Sequence, residues 1–472
     1  MEPFESHRLH MESNNKNGTD RAMDGLPPRE RAWAMASVGL GVGLASLDTA
    51  IANTALPAIA SQLDATPAAS VWIVNAYQLA VVATLLPLGA LSEIVGYRRV
   101  CIAGVLLFTL ASLFCALAPT LPLLVAARLL QGLGASAIMS VNGALLRAIF
   151  PTSLLGRALG TNALIVAVAF ALGPSLASVI LSVASWPWLF AINVPLGLLA
   201  LGLDWRLLPQ IAPRSGRLDR LAVLYSMGAF GLFILAIGDA AHFASLATTL
   251  AELAAAVALL ILLVRREAGR AAPILPVDLF RRPLFALSSL TSMCTFATQS
   301  LAFVSLPFHF ESALGRSSIE TGFLMTPWPV VVGIMAPIAG RLSDRYPPGL
   351  LGGIGLAALA AGMASLYLLP ADAGDLAIGW RMALCGIGFG FFQAPNLKSI
   401  MSSAPRNRSG SASGVVAISR LTGQTTGAAL VALCLSLSVQ SGPGYALFLG
   451  ALFAVAASIA SFSRLLVPTI AD

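Results

Sequence analysis

Apolar residues in this chain run in long blocks separated by charged or Gly/Pro-containing segments, and they do not form the stripes of a surface helix. The blocks fall at 33–60, 70–90, 99–118, 121–145, 159–182, 187–205, 219–240, 246–264, 284–308, 319–340, 349–369, 376–397, 411–437 and 443–464. A helix of roughly 20 apolar residues crosses a bilayer core of about 30 Å. The pattern therefore predicts an all-α polytopic membrane protein with 14 transmembrane helices. The blocks at 159–182 and 411–437 are the least clean, because Gly and Ser are common in both.

Basic residues fix an orientation. With the N-terminus inside, alternate loops and the two ends collect 24 of the 28 Lys and Arg residues. Arg316 alone falls in an outside loop, while Arg128, Arg381 and Arg420 lie within helices. The outside loops hold Asp64, Asp239, Glu311, Asp372 and Asp375. Positive residues stay on the cytoplasmic side, so both termini are expected in the cytoplasm of a protein of the plasma (inner) membrane. The first 30 residues are polar and mixed in charge, without the apolar core of a signal peptide. Residues 1–32 read as a disordered cytoplasmic tail.

Composition agrees: of 472 residues, 57% are hydrophobic and 10% charged, against about 25% charged in soluble domains. The net charge of +7 follows from the loop pattern and does not mark a nucleic-acid surface. Only two lysines exist, Lys16 and Lys398, and neither follows a glycine. A Walker A loop needs Gly-Lys-Ser/Thr, so the chain cannot be its own ATP motor. Five isolated cysteines and four scattered histidines offer no metal spacing, and no catalytic constellation appears. No cofactor is expected beyond a proton gradient.

One loop occurs twice. GALSEIVGYRR, from Gly89 to Arg99, follows the second helix, and GRLSDRYPPG, from Gly340 to Gly349, follows the tenth. Both share Gly-x-Leu-Ser-acid and lie 251 residues apart. The repeat divides the chain into an N-terminal six-helix half at 33–205, an inserted helix pair with its loops at 206–270, and a C-terminal six-helix half at 271–472. Duplicated halves with a site between them near the midplane are the usual plan of secondary transporters.

At these loops the chain resembles the major facilitator superfamily, and in particular its fourteen-helix drug:proton antiporter branch. Leu47-Asp48-Thr49-Ala50-Ile51-Ala52-Asn53-Thr54-Ala55-Leu56-Pro57 is close to that branch's first-helix signature. The 89–99 loop departs from the superfamily's motif at Glu93, where Asp is usual, and at Ile94, where Arg often follows; Asp344 and Arg345 keep both. Arg128-Leu-Leu-Gln131-Gly132-Leu-Gly134 resembles the motif whose Arg is implicated in proton coupling. Gly173-Pro174 is similar to the antiporter motif, a degenerate match with Ala169, Ala177 and Ser178 at the motif's other glycine positions. Trp186-Pro-Trp188 through Asn193-Val-Pro195-Leu-Gly197, Gly388 through Asn396, and Ser419-Arg420-Leu-Thr-Gly423-Gln424 also resemble the branch.

Asp48 is the centre of the expected chemistry. An acid inside a spanning helix is costly and generally faces a cavity or marks an ion path. Burial disfavours its charge and a nearby cation favours it, so a carboxylate whose surroundings change can load and release a proton. Arg128 is the expected counter-charge, acting directly or through Gln131. By the family pattern, Glu93 with Arg98 and Arg99 would form an inside charge lock, with Asp344 and Arg345 as its counterpart. Gly89, Gly96 and Gly340 fit tight turns and close helix approach, and Gly173-Pro174 a bend in helix 5. Candidate cavity residues are Asn53, Asn75, Gln78, Gln393, Asn396, Arg420 and Gln424, with Asn142, Asn162 and Gln299; amides in membranes also serve as interhelical glue.

The helices contain one deep acid, Asp48, against three arginines. The balance favours monovalent cations, neutral or zwitterionic amphiphiles, or organic anions over dications. The resulting expectation is a non-enzymatic, proton-coupled exporter of amphiphilic small molecules such as drugs, working by alternating access in the lipid bilayer as a monomer, with an adaptor protein left open and no nucleic-acid partner. A dedicated exporter of one metabolite is the alternative, and a non-transporting sensor a distant one.

Overall fold

Helices stand at every apolar block. The computed structural model describes residues 25–151, 154–211, 219–241, 245–267, 277–370, 372–404 and 409–467, and among these no strand occurs. In order they are α1 (Pro28–Gln62), α2 (Pro67–Val95), α3 (Tyr97–Ala116), α4 (Leu121–Ile149), α5 (Leu155–Val183) and α6 (Pro187–Leu207). Next come α7 (Arg220–Ala241) and α8 (Leu246–Glu267). The chain continues with α9 (Pro283–Phe308), α10 (Ser318–Leu342), α11 (Pro348–Tyr367), α12 (Asp375–Ser403), α13 (Ser409–Leu437) and α14 (Gly442–Ser463).

Among the described residues, 11 helices are long and apolar enough to cross a membrane; α7, α9 and α13 fall short on that measure. For α9 the reason is visible in its packing. It is rich in Ser and Thr yet almost wholly buried. The hydroxyls of Ser288, Ser289, Thr291, Thr295, Thr298 and Ser305 each donate to the carbonyl four residues back. Such back-bonding satisfies a polar side chain within its own helix, so α9 can lie in the middle of the bundle, with only Ser288 and Thr298 of these also bonded to other helices.

Proline in the first turn starts α1, α4, α9, α11 and α14, where its missing N–H costs no helical bond. α1 begins five residues before the apolar block, so residues 28–32 are helix and not tail. Arg31 there donates to the Leu26 carbonyl, and the Leu26 amide to Ile149 at the end of α4. The rest of the expected tail, as far as residue 24, lies outside the described residues, as do Arg214, Arg217, Arg270, Arg406 and Arg408.

Neighbours repeat along the chain. α1 packs on α5 and α6, α2 on α4, and α3 on α4 and α6. Correspondingly, α9 packs on α13 and α14, α10 on α12, and α11 on α12 and α14. The two sets meet through α1 with α9, α2 with α13 and α5 with α10. α7 lies against α2 and α13 and carries α8. The helix ends carrying Arg98, Arg147 and Arg206 share one end of the bundle, called the basic face below, with the segments holding Arg282 and Arg345.

Candidate functional site

Asp48 lies on α1 about 30 Å along the axis from Pro28, at about 1.5 Å per residue, and it is 1% exposed. Three groups converge on its carboxylate. Arg128 Nη1 of α4 donates to Oδ2 at 2.5 Å, and Gln131 Nε2 donates to Oδ1 at 2.8 Å. Asn193 Nδ2 of α6 donates to Oδ1 at 2.7 Å. The sequence places them by simple means. Arg128 and Gln131 are three apart on one face of α4, and Asn193 opens the second segment of α6 after its break at Ile192.

The cation is held as tightly as the anion. Arg128 Nη1 also donates to Gln131 Oε1 at 2.6 Å, and its Nε donates to the Ile73 carbonyl of α2 at 3.0 Å. The guanidinium lies 4.3 Å from the ring centroid of Tyr77 and 5.6 Å from that of Phe190. Gln131 Nε2 reaches Ser112 Oγ of α3 at 2.9 Å. Gly132 makes the approach of α2 feasible: a Cβ there would stand 2.4 Å from the Tyr77 carbonyl oxygen. A buried pair offsets its desolvation only with good geometry and further hydrogen bonds, and this cluster supplies both.

Next to Asp48, Thr49 opens onto a central cavity of about 10 Å³, room for at most one water. Thr49, Asn53, Gln78 and Phe170 line it from α1, α2 and α5, and Gln299, Ser300, Phe303 and Gln424 from α9 and α13. Asn53 Oδ1, Gln78 Oε1 and Ser300 Oγ are buried there without a partner. Phe170 and Phe303 meet edge to face at 5.2 Å, and Phe303 meets Trp328 of α10 at 5.3 Å. Toward the end away from the basic face, Ser175 and Thr326 hydroxyls lie 2.7 Å apart, and Ser178 Oγ donates to the Ser318 carbonyl at 3.1 Å. These bonds tie α5 to α10 at that end.

The sequence profile of the Major Facilitator Superfamily matches residues 38–428. The chain belongs to this superfamily of transporters. It is 50% identical over 447 residues, 94% of this chain and 98% of the other, to the Escherichia coli K12 protein named uncharacterized transporter YebQ. It is 33% identical to the putative multidrug resistance protein MdtD of Salmonella heidelberg, over 69% of either chain. Riboflavin transporter RibZ of Clostridioides difficile is 29% identical over 79% of this chain and 81% of its own. Among solved structures, the POT family transporter PepTSo superposes with a TM-score of 0.69 at 15% identity, covering 93% of this chain and 98% of that one. The D-xylose-proton symporter gives 0.67 at 15% identity, over 91% and 97%. At such identity the structures speak for the fold alone. This superfamily member is thus a polytopic membrane transporter and not an enzyme.

The superfamily's loop motif uses partners the spacing did not suggest. Arg98 donates to the Trp205 carbonyl of α6, and Arg99 Nη1 to the Val95 carbonyl at 3.4 Å. Asp344 pairs with Lys398 of α12 at 2.7 Å and not with its neighbour Arg345. Gly96 does form a tight turn, with φ +106°. Gly89 and Gly340 do not serve close approach: a Cβ at Gly89 meets nothing within 4 Å, and one at Gly340 meets only Ala394 at 3.7 Å. Gly173 packs against Ala50 of α1, and Pro174 lies within α5, where Gly322 of α10 presses on its carbonyl.

Of the candidate cavity residues, Asn53, Gln78 and Gln424 line the cavity, with Gln299. Asn75 is buried outside its lining and Gln393 is exposed. Asn396 has another partner: it accepts from Arg464 Nη1 at 2.8 Å and donates to the Ser288 carbonyl at 3.1 Å. Arg464, expected in a basic loop, is 4% exposed and bonded to Ser288 and Ser461 as well. Nor is Asp48 the single deep acid. Asp204 of α6, nearer the basic face, is 1% exposed. It accepts from Ser37 of α1, and from Cys101 Sγ of α3 at 3.7 Å. Nothing in the spacing along the chain marks Tyr77, Ser112, Asp204 or Arg464, whereas Asn193 lies within the Trp186–Gly197 motif. Among the described residues no three His, Cys, Asp or Glu side chains cluster as metal ligands.

Proposed function

We propose that this protein is a proton-coupled exporter of small amphiphilic molecules, of the fourteen-helix drug:proton type, with Asp48 as the proton carrier. The observation that carries the reading is the buried Asp48–Arg128 pair, set one residue from the cavity-lining Thr49. As an anion, Asp48 has its acceptors filled by Arg128, Gln131 and Asn193. Protonation removes the charge that holds Arg128, so the links between α1, α4 and α6 weaken together. Deprotonation restores them. Cargo entering the cavity beside Thr49 separates α1 from α9 and draws on the same helix, which sets proton release against cargo loading.

In this reading α1–α6 and α9–α14 are the two halves that rock, α7 and α8 are the inserted pair, and both termini face the cytoplasm. The repeated neighbour pattern supports the division. The Arg98 bond to α6 and the Asp344–Lys398 pair steady each half at the basic face. Gradient-driven dye movement in everted vesicles tests the assignment. Wild type moves the dye only with a proton gradient and Asp48→Asn abolishes this; unchanged transport by Asp48→Asn rejects Asp48 as the carrier.

A second reading is a dedicated exporter of one polar metabolite. The amide lining of the cavity favours it, and one relative is named a riboflavin transporter. A narrow substrate range in the same vesicles decides between the two.

A further inference from the structure

Arg420 is a partly buried cation of a spanning helix that the proposed proton cycle does not use, and it stands just outside the lining of the central cavity. It lies on α13, one helical turn toward the basic face from Gln424, and residues four apart share a helix face. Gln424 lines the central cavity. Arg420 Nε is buried without a hydrogen-bond partner, and among the described residues Arg420 forms no ion pair. A buried guanidinium N–H left without an acceptor is costly. Arg128, by contrast, has a carboxylate, a carbonyl and a side-chain amide.

The acids that could pair with a cationic cargo are committed elsewhere. Asp48 is enclosed by Arg128, Gln131 and Asn193, and Asp204 by Ser37 and Cys101. Neither lines the cavity, whose own groups are amides, hydroxyls and two phenylalanine rings. Its buried unpartnered amide oxygens, on Asn53 and Gln78, call for hydrogen-bond donors from whatever enters, and the Ser300 hydroxyl can donate or accept.

We infer that Arg420 sets the charge preference of the cargo site, selecting an aromatic molecule that carries an anionic or strongly hydrogen-bond-accepting group, and N–H or O–H donors, over a lipophilic cation. The inference rests on the proposed reading of the central cavity as the cargo site. Once cargo has separated α1 from α9, a planar ring lies against Phe170 and Phe303, its donors satisfy the orphaned oxygens, and its acceptor reaches toward Arg420, one turn from Gln424. A cation placed there meets Arg420 with no acid to offset the repulsion.

Equilibrium binding to the purified full-length protein in nanodiscs tests this without any gradient, so it stands apart from the coupling assignment. The probes are fluorescein and rhodamine 123, which share a xanthene core and differ in charge, followed by fluorescence polarisation. Wild type is expected to bind fluorescein at least tenfold more tightly. Arg420→Gln lowers that ratio at least tenfold, and Arg420→Lys, which keeps the charge, preserves most of it. Equal or tighter binding of rhodamine 123, no binding of fluorescein, or a ratio unchanged in folded Arg420→Gln overturns the inference. Loss of gradient-driven transport in Asp48→Asn with this preference intact supports both readings separately.

Discussion

The guanidinium of Arg128 lies 4.3 Å from the ring centroid of Tyr77, so the cation that faces Asp48 also rests on an aromatic plane of α2. The Tyr77 hydroxyl reaches back to the Ala45 carbonyl of α1 at 3.3 Å. One ring therefore touches the helix carrying the acid and supports its counter-charge. A desolvated cation–π contact is worth about 2 kcal/mol. Tyr77→Leu is expected to slow gradient-driven transport roughly tenfold or more, while Tyr77→Phe, which keeps the ring, retains most of it. Initial rates in vesicles, normalised to protein, check the contrast.

Breaking the ion pair on one side leaves a buried charge without a partner. Arg128→Leu is expected to destabilise the protein by about 3–5 kcal/mol. Adding Asp48→Asn in the same chain recovers much of that stability, because no charge is left stranded. Transport does not return with it. Thermal unfolding in detergent, set beside vesicle assays of the same variants, separates the two effects.

Glu311 follows α9 in a single π turn, His309–Ala313, at the end away from the basic face. Burial pushes its carboxyl up to about 7, against a smaller opposing effect of a Ser318 hydrogen bond. The raised value means that folding favours the protonated form. The stabilisation is complete below the ordinary carboxylate range and is lost as pH rises through about 7. Wild type should therefore melt at a lower temperature at pH 8 than at pH 5, and Glu311→Gln should flatten that difference. A melting curve for Glu311→Gln as steep in pH as wild type assigns the dependence elsewhere.

Arg464 is a structural cation. Arg464→Met leaves Asn396 Oδ1 without its donor, at a cost of about 1–3 kcal/mol. Arg464→Met with Asn396→Leu should recover most of this loss, since both polar partners are then gone. Melting temperatures of the single and double variants show whether the recovery occurs.

Much of the architecture was legible because membrane helices announce themselves by length and apolarity. The boundaries slipped where helices outrun their apolar blocks. α4 continues through Arg147 to Ile149, and α12 through Lys398 to Ser403, since a helix need not stop where it leaves lipid. Asp48, Arg128 and Gln131 were legible because charge in an apolar helix is conspicuous. Asn193 and Tyr77 were not assigned, because an amide at a helix break and an aromatic ring look ordinary until three helices converge. Asp204 was missed for a related reason: it stands at the last turn of the 187–205 block, two residues from Arg206, whereas the fold turns it onto Ser37 and Cys101. Lys398 outcompeted Arg345 for Asp344 because it projects from a neighbouring helix, which spacing along one loop cannot reveal.

Coupling itself is tested most directly by driving the cycle with cargo. Proteoliposomes containing the pH dye pyranine are preloaded with a transported compound and diluted into compound-free buffer, with no pH gradient and the membrane potential clamped. With wild type, outward movement of the compound should carry protons in and acidify the lumen, and Asp48→Asn should not. Efflux by wild type with no change in lumenal pH, or equal acidification by Asp48→Asn, would contradict the account.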